Sequence, residues 1–395
     1  MRVCGVICEY NPFHKGHALH LSRARELSGA DYIVCAMSGA VTQRGAFARH
    51  DKWTRARMAL WGGADLVLEL PARFACASAP DFARGGVALL SSLGVVTHLS
   101  FGCEADALLL LRDAAQALSC ETPAFAEALR RELSIGASFP RARAIALEET
   151  CGIPGLAQAA GRPNAVLALE YLRALPQGIA PVPVPREGSD YHDASLRALS
   201  SATAVRAALA RGDLSGALDA VPFPELLSQA EARGDIHPEE ALTQALFYRL
   251  RAMTARELAD IPGMDEGLES RFLAAAQKAA SREELLSLVK TRRYTRTRLS
   301  RLCTLALLGV TRELARQADA PAYARILGFR RDAAPLLHAI KENASLPLIA
   351  KAADFDRENP SFALDLRAQD LWSLGCASPA LRAAGRDLTT SPVIV

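Results

Sequence analysis

Residues 2–29 read RVCGVICEYNPFHKGHALHLSRARELSG, and the architecture follows from this stretch. Residues 2–8 are short, apolar and rich in β-branched side chains, the composition of a buried strand. Asn11-Pro12 breaks that run, and ALHLSRARELS, closed by Gly29, has the apolar spacing and terminal glycine of a helix. A strand, a loop and a helix thus follow in immediate succession.

The pattern repeats downstream. DYIVCAMSG (31–39), ADLVLELP (64–71) and VVTHLSFG (95–102) read as three more strands, with helical patterns at KWTRARMALWGG (52–63) and PDFARGGVALLSSLG (80–94) between them. Strands alternating with helices indicate a doubly wound α/β fold, a parallel sheet of Rossmann type with right-handed crossovers, whose ligands bind beyond the carboxyl ends of the strands. Residues 105–171 are helical in pattern, APVPVPREGSDYHD (180–193) is an extended, proline-punctuated strand and loop, and SSATAVRAALARGDL (200–214) is a helix with hydroxyls at its start. A domain boundary is expected near Gly212, dividing a nucleotide-binding unit (1–212) from a mostly helical unit (213–395) that carries one further strand at LPLIAK (346–351).

Composition excludes several classes. The 395 residues are 50% hydrophobic and 23% charged with a net charge of +3, which fits neither a disordered chain nor a polyanion binder over its whole surface. Nine cysteines without a CxxC pair argue against a structural metal and suit a reducing cytosol. The opening lacks the basic and apolar regions of a signal peptide, and nowhere do 18 apolar residues run together, so a cytoplasmic protein without a membrane partner is expected.

The sharpest chemical signal is His14-Lys15-Gly16-His17, an HxGH tetrapeptide between the first strand and the first helix. Glycine at the third place allows close approach of a phosphate, the helix start offers unpaired N–H groups, and two imidazoles can donate to oxygens gaining charge. His20 adds a third histidine within seven residues, out of eight in the chain. Zinc binding by these histidines lacks a completing ligand set. Far downstream, KTRRYTRTRLSR (290–301) carries six basic residues and no acidic one: Lys290, Arg292, Arg293, Arg296, Arg298 and Arg301. That run suits RNA phosphate, with Tyr294 as a stacking plane; four to six phosphate contacts would give a log–log salt slope of about −3 to −5.

GVICEYNPFHKGHALHL closely resembles the opening of the tRNA(Met) cytidine acetate ligases, members of the HxGH nucleotidyltransferase superfamily. MSGAVTQRG, ARHDKWTRARMAL, GADLVLELP, SFGCE, RPNAVLALEYLRAL, REGSDYHD, SSATAVR, EGLESR, KTRRYTRTRLSR and YARILGF follow in the family's order, covering about 85% of the chain. The resemblance implies an ATP-dependent ligase that activates acetate as acetyl-AMP and acetylates N4 of the wobble cytidine of elongator tRNA(Met), with Mg²⁺ accompanying the nucleotide. It places ATP against Ile7, Cys8, Glu9, Tyr10, Asn11, Pro12, Phe13, His14, Lys15, Gly16, His17 and His20, with His14 and His17 steadying the α-phosphate. Gly102, Asn164, Arg186, Ser201, Thr203 and Arg206 complete the expected nucleotide contacts, and Gln43, Arg44 and Lys52 are expected to face substrate or tRNA in the same cleft. The chain departs from the family pattern at Lys15, Ala40 and Ala165, where asparagine is usual. Two other functions remain open to the sequence: an adenylyltransferase for a small phosphorylated cofactor precursor, and a non-catalytic tRNA-binding protein that senses ATP.

Overall fold

The computed structural model describes residues 1–103, 108–119, 122–152, 155–160, 163–185 and 201–395. Its centre is an eight-stranded sheet of order β5-β4-β1-β2-β3-β6-β7, with β8 pairing β6. The strands are β1 (Val3–Cys8), β2 (Tyr32–Ser38), β3 (Leu66–Leu70), β4 (His98–Cys103), β5 (Ala180–Pro185), β6 (Ala324–Phe329), β7 (Leu348–Ile349) and β8 (Val393–Ile394). β1 to β5 are parallel throughout. Each of the four strands expected up to Gly102 is present, as are β5 in APVPVP and β7 in LPLIAK.

β1 is buried on both faces, and the apolar residues of the parallel strands belong to two large clusters that cover the sheet on either side. This double burial explains why the strands read as continuous apolar runs rather than alternating ones. Helix α1 (Lys15–Ser28) returns the chain from β1 and ends at Gly29, whose φ of 59° is the left-handed conformation that glycine accepts without strain. Chain order reverses direction around β1, since β2 and β3 extend to one side and β4 and β5 to the other. The crevice between β1 and β4 is thus the topological switch point, where a doubly wound sheet binds its ligand.

The chain beyond Gly212 does two things. Residues 246–306 supply a core of their own, including Leu250, Phe272, Leu285 and Leu299. Residues 324–395 then return to the sheet, where β6 lies antiparallel to β3. Sheet and helices therefore do not divide at Gly212: YARILGF forms β6, a strand whose pairing partner lies more than 250 residues earlier.

A fully buried charge network fastens this return. Lys52, the first residue of α2 (Lys52–Trp61), bonds Glu69 on β3 at 2.7 Å and Asp387 at 2.7 Å. Arg325 on β6 meets the same two carboxylates at 3.0 and 2.9 Å. Two cations against two carboxylates leave no net charge in the network, the condition under which buried ions are tolerable. The neighbouring Asp365 carboxyl is pushed up to about 7 by burial and by Glu69.

Candidate functional site

β1 delivers the chain to a turn containing the cis peptide Asn11-Pro12, and His14 caps α1 from an extended conformation. His14 Nδ1 accepts the Gly16 N–H at 3.1 Å, and His17 Nδ1 accepts the His14 N–H at 3.3 Å, a capping box made of imidazoles. A neutral ring that accepts at Nδ1 carries its proton on Nε2, so both rings are set as Nε2 donors. The rings stack 3.6 Å apart between centroids. A Cβ at Gly16 would lie 3.0 Å from His14 Cε1, so glycine makes room for the ring. His20 Nε2 meets Ser100 Oγ on β4 at 3.2 Å, tying the helix across the crevice.

These residues open onto a cavity of about 1440 Å³ at the switch point. Ile7, Cys8, Glu9, Tyr10, Asn11, His14, Gly16, His17 and His20 line it, with Gly102, Asn164, Ser201, Thr203 and Arg206 opposite. Ser201 caps the helix Ala202–Ala210 by accepting the Ala204 N–H at 3.2 Å, which turns the positive end of that helix toward the cavity. Arg206 reaches the Asn11 carbonyl at 2.5 Å and Thr203 Oγ1 at 3.2 Å, locking this helix to the HxGH turn. Gln43 and Arg44 also line the cavity. Burial holds the Cys8 thiol well above its ordinary value, so it stays protonated and supplies no nucleophile.

Four expected contacts lie elsewhere among the described residues. Pro12 and Phe13 pack behind the turn, Phe13 without any exposure. Lys15 turns away: its ammonium donates to the Asp219 carbonyl at 2.6 Å, so it adds no charge beside the histidines. Lys52 is sealed in the network described above and cannot face a substrate. Ala40 and Ala165 are both buried in the apolar core, which accepts a methyl where an amide would need a partner. Arg186 lies outside the described residues.

Sequence reasoning missed several residues that shape the cavity. Arg55, fully buried, donates to the carbonyls of His50 at 3.0 Å, Glu9 at 2.7 Å and Ser38 at 2.9 Å, and also to Gly39, gathering the loops that follow β1 and β2. Burial pushes its guanidinium down to about 10. Phe47, Arg49, His237 and Arg282 line the cavity on its other side. No local pattern announces them, because they come from three segments that meet only in the fold.

The basic run divides. Arg293 pairs with Glu266 at 2.8 Å, Arg296 pairs with Glu283, and Arg298 donates to the Gly263 carbonyl at 2.9 Å. Arg301 points inward to the Gln43 carbonyl at 3.2 Å. Lys290 and Arg292 are exposed and have no ion pair among the described residues. Tyr294 is 5% exposed and gives its hydroxyl to Glu266 at 3.1 Å, so it is part of the helical core and not a stacking plane.

A parallel sheet with an imidazole-capped helix at its switch point defines a nucleotidyl transferase, and the HIGH Nucleotidyl Transferase family matches residues 1–387. A tRNA(Met) cytidine acetate ligase of Syntrophomonas wolfei is 38% identical over 100% of this chain and 99% of its own length. That of Acetivibrio thermocellus is 36% identical with 100% of both covered. The chain belongs to the tRNA(Met) cytidine acetate ligase family. A crystal structure of Thermotoga maritima TmcAL bound with alpha-thio ATP matches with a TM-score of 0.93 at 31% identity, and an apo form of that protein with 0.94 at 32%; all four coverages are 100%.

Proposed function

We propose that the protein is an ATP-dependent ligase that acetylates N4 of the wobble cytidine of elongator tRNA(Met). In the first step an acetate oxygen attacks the α-phosphorus of ATP, an O–P bond forms, and pyrophosphate leaves. In the second the cytidine amine attacks the acetyl carbon, AMP leaves with the bonding pair, and the nitrogen loses a proton. The first step brings two anions together, so neutralisation and alignment supply its catalysis; in the second the amine is neutral and AMP a good leaving group, so positioning and proton removal matter more.

The observation that carries this reading is the stacked His14–His17 pair at the switch point, both rings set to donate from Nε2. Nε2–H groups beside the start of α1 suit oxygens gaining charge as pyrophosphate departs. Ser201, Thr203 and Arg206 suit the β- and γ-phosphates, Gly102 and Asn164 the nucleoside. No group of three His, Cys, Asp or Glu among the described residues is placed to hold a metal ion. Mg²⁺ enters this reading with the nucleotide, as Mg-ATP.

We assign catalysis to the sheet-bearing part of residues 1–212 and tRNA contact to the helical part that follows. No helix among the described residues is long and apolar enough to cross a membrane, which agrees with action on tRNA in the cytoplasm. Incubation with labelled acetate and ATP tests the reading. Acetate-dependent ATP–pyrophosphate exchange without tRNA, and label on cytidine with tRNA, are expected. Exchange that requires a phosphorylated small molecule instead of acetate makes the chain an adenylyltransferase; no exchange at all makes it an ATP-sensing tRNA binder.

A further inference from the structure

The cavity is larger than one nucleotide needs. Single-ligand sites commonly run from about 300 to 1,000 Å³, and this one reaches about 1440 Å³. Besides the nucleotide contacts, its lining includes residues of the loop Thr42–Arg49 and of the segment 236–243, which form a second lobe of the wall. The starts of the helices Arg282–Val289 and Arg296–Leu308 close the lobe. Two bonds set it against the HxGH turn: Asn11 Oδ1 accepts the Arg49 N–H at 2.9 Å, and Glu9 Oε1 accepts the Gln43 N–H at 2.6 Å. A group held in the lobe is therefore next to whatever is made at His14 and His17.

Two side chains give the lobe its chemistry. Phe47 is half-buried and stacks on His237 at 4.8 Å between ring centroids and 21° between planes. His237 is 4% exposed, and neither of its ring nitrogens has a hydrogen-bond partner among the described residues. Main-chain bonding fixes it, since the His237 N–H donates to the Arg49 carbonyl at 2.7 Å. The Nε2 edge of the ring packs against Gly375, where a Cβ would lie 2.2 Å away, and its face meets Phe47, so His237 serves as the rigid backing of the Phe47 ring. The exposed Lys290 and Arg292 lie on the turn between Leu286 and Arg296, both of which line the cavity. Glu239 and Glu240 also line the lobe and oppose a second triphosphate there.

We propose that this lobe receives the acceptor base, an unpaired amino-bearing pyrimidine of the RNA strand, stacked on Phe47, whose ring His237 backs and positions. The strand's phosphates lie along Lys290 and Arg292, and the base turns inward past Arg296. This rests on the function proposed above, which supplies the acceptor's identity; the lobe's geometry supplies its place.

The full-length protein tests it in two independent ways. Phe47→Leu and His237→Leu are expected to lower kcat/KM for acetyl transfer to a tRNA(Met) anticodon stem-loop by about ten- to hundredfold, the effect of losing one stacked base contact. Acetate-dependent ATP–pyrophosphate exchange is expected to change by less than about threefold in both, and Phe47→Tyr to keep transfer near the parent's. Equal losses in exchange and transfer, or no loss in transfer, overturn the proposal. The second test needs no variant and no catalysis. A stem-loop with 5-iodocytidine at the acceptor position, cross-linked to the unmodified protein, is expected to label residues 42–49 or 236–243. Label confined to other segments overturns the proposal. Should exchange with acetate be absent from the parent protein, the proposed function falls, and the cross-link alone decides the lobe.

Discussion

The two halves of the cavity are built by opposite means. In the nucleotide half, His14, Gly16 and His17 fix one another by bonds between near neighbours of a single turn. The lobe is held by contacts between segments more than 230 residues apart: the Gly45 carbonyl accepts from Arg282 Nη2 at 2.6 Å, Ser300 Oγ at 2.8 Å and Thr304 Oγ1 at 2.9 Å. A locally built site loses chemistry when its residues change. An assembled one loses its shape first, because each contact orders chain far from itself.

Gly45 is where that contrast is most exposed. Its φ is +72°, and a Cβ there would lie 2.3 Å from the Arg301 backbone nitrogen, so the helical part must move away. Gly45→Ala is expected to cost about 3–5 kcal/mol in urea unfolding, from a strained dihedral and a backbone clash together. An unchanged midpoint shows that the Gly45 bridge does not hold the lobe. His14→Ala and His17→Ala should act the other way round. Each is expected to slow adenylate formation about a hundredfold or more, measured as acetate-dependent exchange, while stem-loop binding persists. The cap lost in His14→Ala costs stability by about 0.5–2 kcal/mol, well below the Gly45 effect.

This contrast also explains what could be read in advance. β1, the HxGH turn and α1 were legible because they rest on adjacent residues: an apolar run, a proline break and a terminal glycine. The sheet's parallel half followed from repetition of that unit. β6 was not legible as a strand, since YARILGF acquires its meaning only beside β3. Lys52 looked like a cleft residue because it follows β2, but its destination was set by Glu69 and Asp387. Phe47 and His237 carry no signal because neither their stacking nor their burial exists before the fold does.

The basic run sharpens the same lesson at smaller scale. Charge density is visible in KTRRYTRTRLSR, but pairing is not: Arg293 and Arg296 answer Glu266 and Glu283, while Arg301 serves the bridge to the loop. Lys290→Ala and Arg292→Ala are each expected to weaken stem-loop binding severalfold and to reduce the log–log salt slope by about 1. Arg301→Ala should leave that slope unchanged and lower the unfolding midpoint. A slope reduced as much in Arg301→Ala as in the other two would mean that Arg301 leaves the Gln43 carbonyl for RNA phosphate.

The smallest effect tests whether the lobe is dry. Burial, with Arg282 nearby, pushes the His237 imidazole down from its ordinary 6.5 to about 4, so the folded protein keeps the ring neutral while the unfolded chain takes up a proton. A base with a depressed value stabilises fully above pH 6.5 and loses that contribution as pH falls toward 4. Between pH 7 and 6 the loss from this one group is about 0.7 kcal/mol. Of the other perturbed groups, His98 is also lowered by its partial burial and adds a loss in the same window, while Asp365, raised to about 7, gains about 1 kcal/mol as pH falls from 7 to 6 and opposes both. Burial alone would raise the Glu231 carboxylate, but hydrogen bonds from His50 and Arg49 hold it at about 2, so its stabilisation is complete above its ordinary 4.5 and is lost only as pH falls from there toward 2. His237→Leu should therefore leave the stability at pH 6, relative to that at pH 7, about 0.7 kcal/mol higher than in the parent. A variant as pH-sensitive as its parent would mean that the folded lobe already admits water and a proton to the ring. The stacked pair would then be a surface feature, and the lobe no better ordered for a ligand than the loop that walls it.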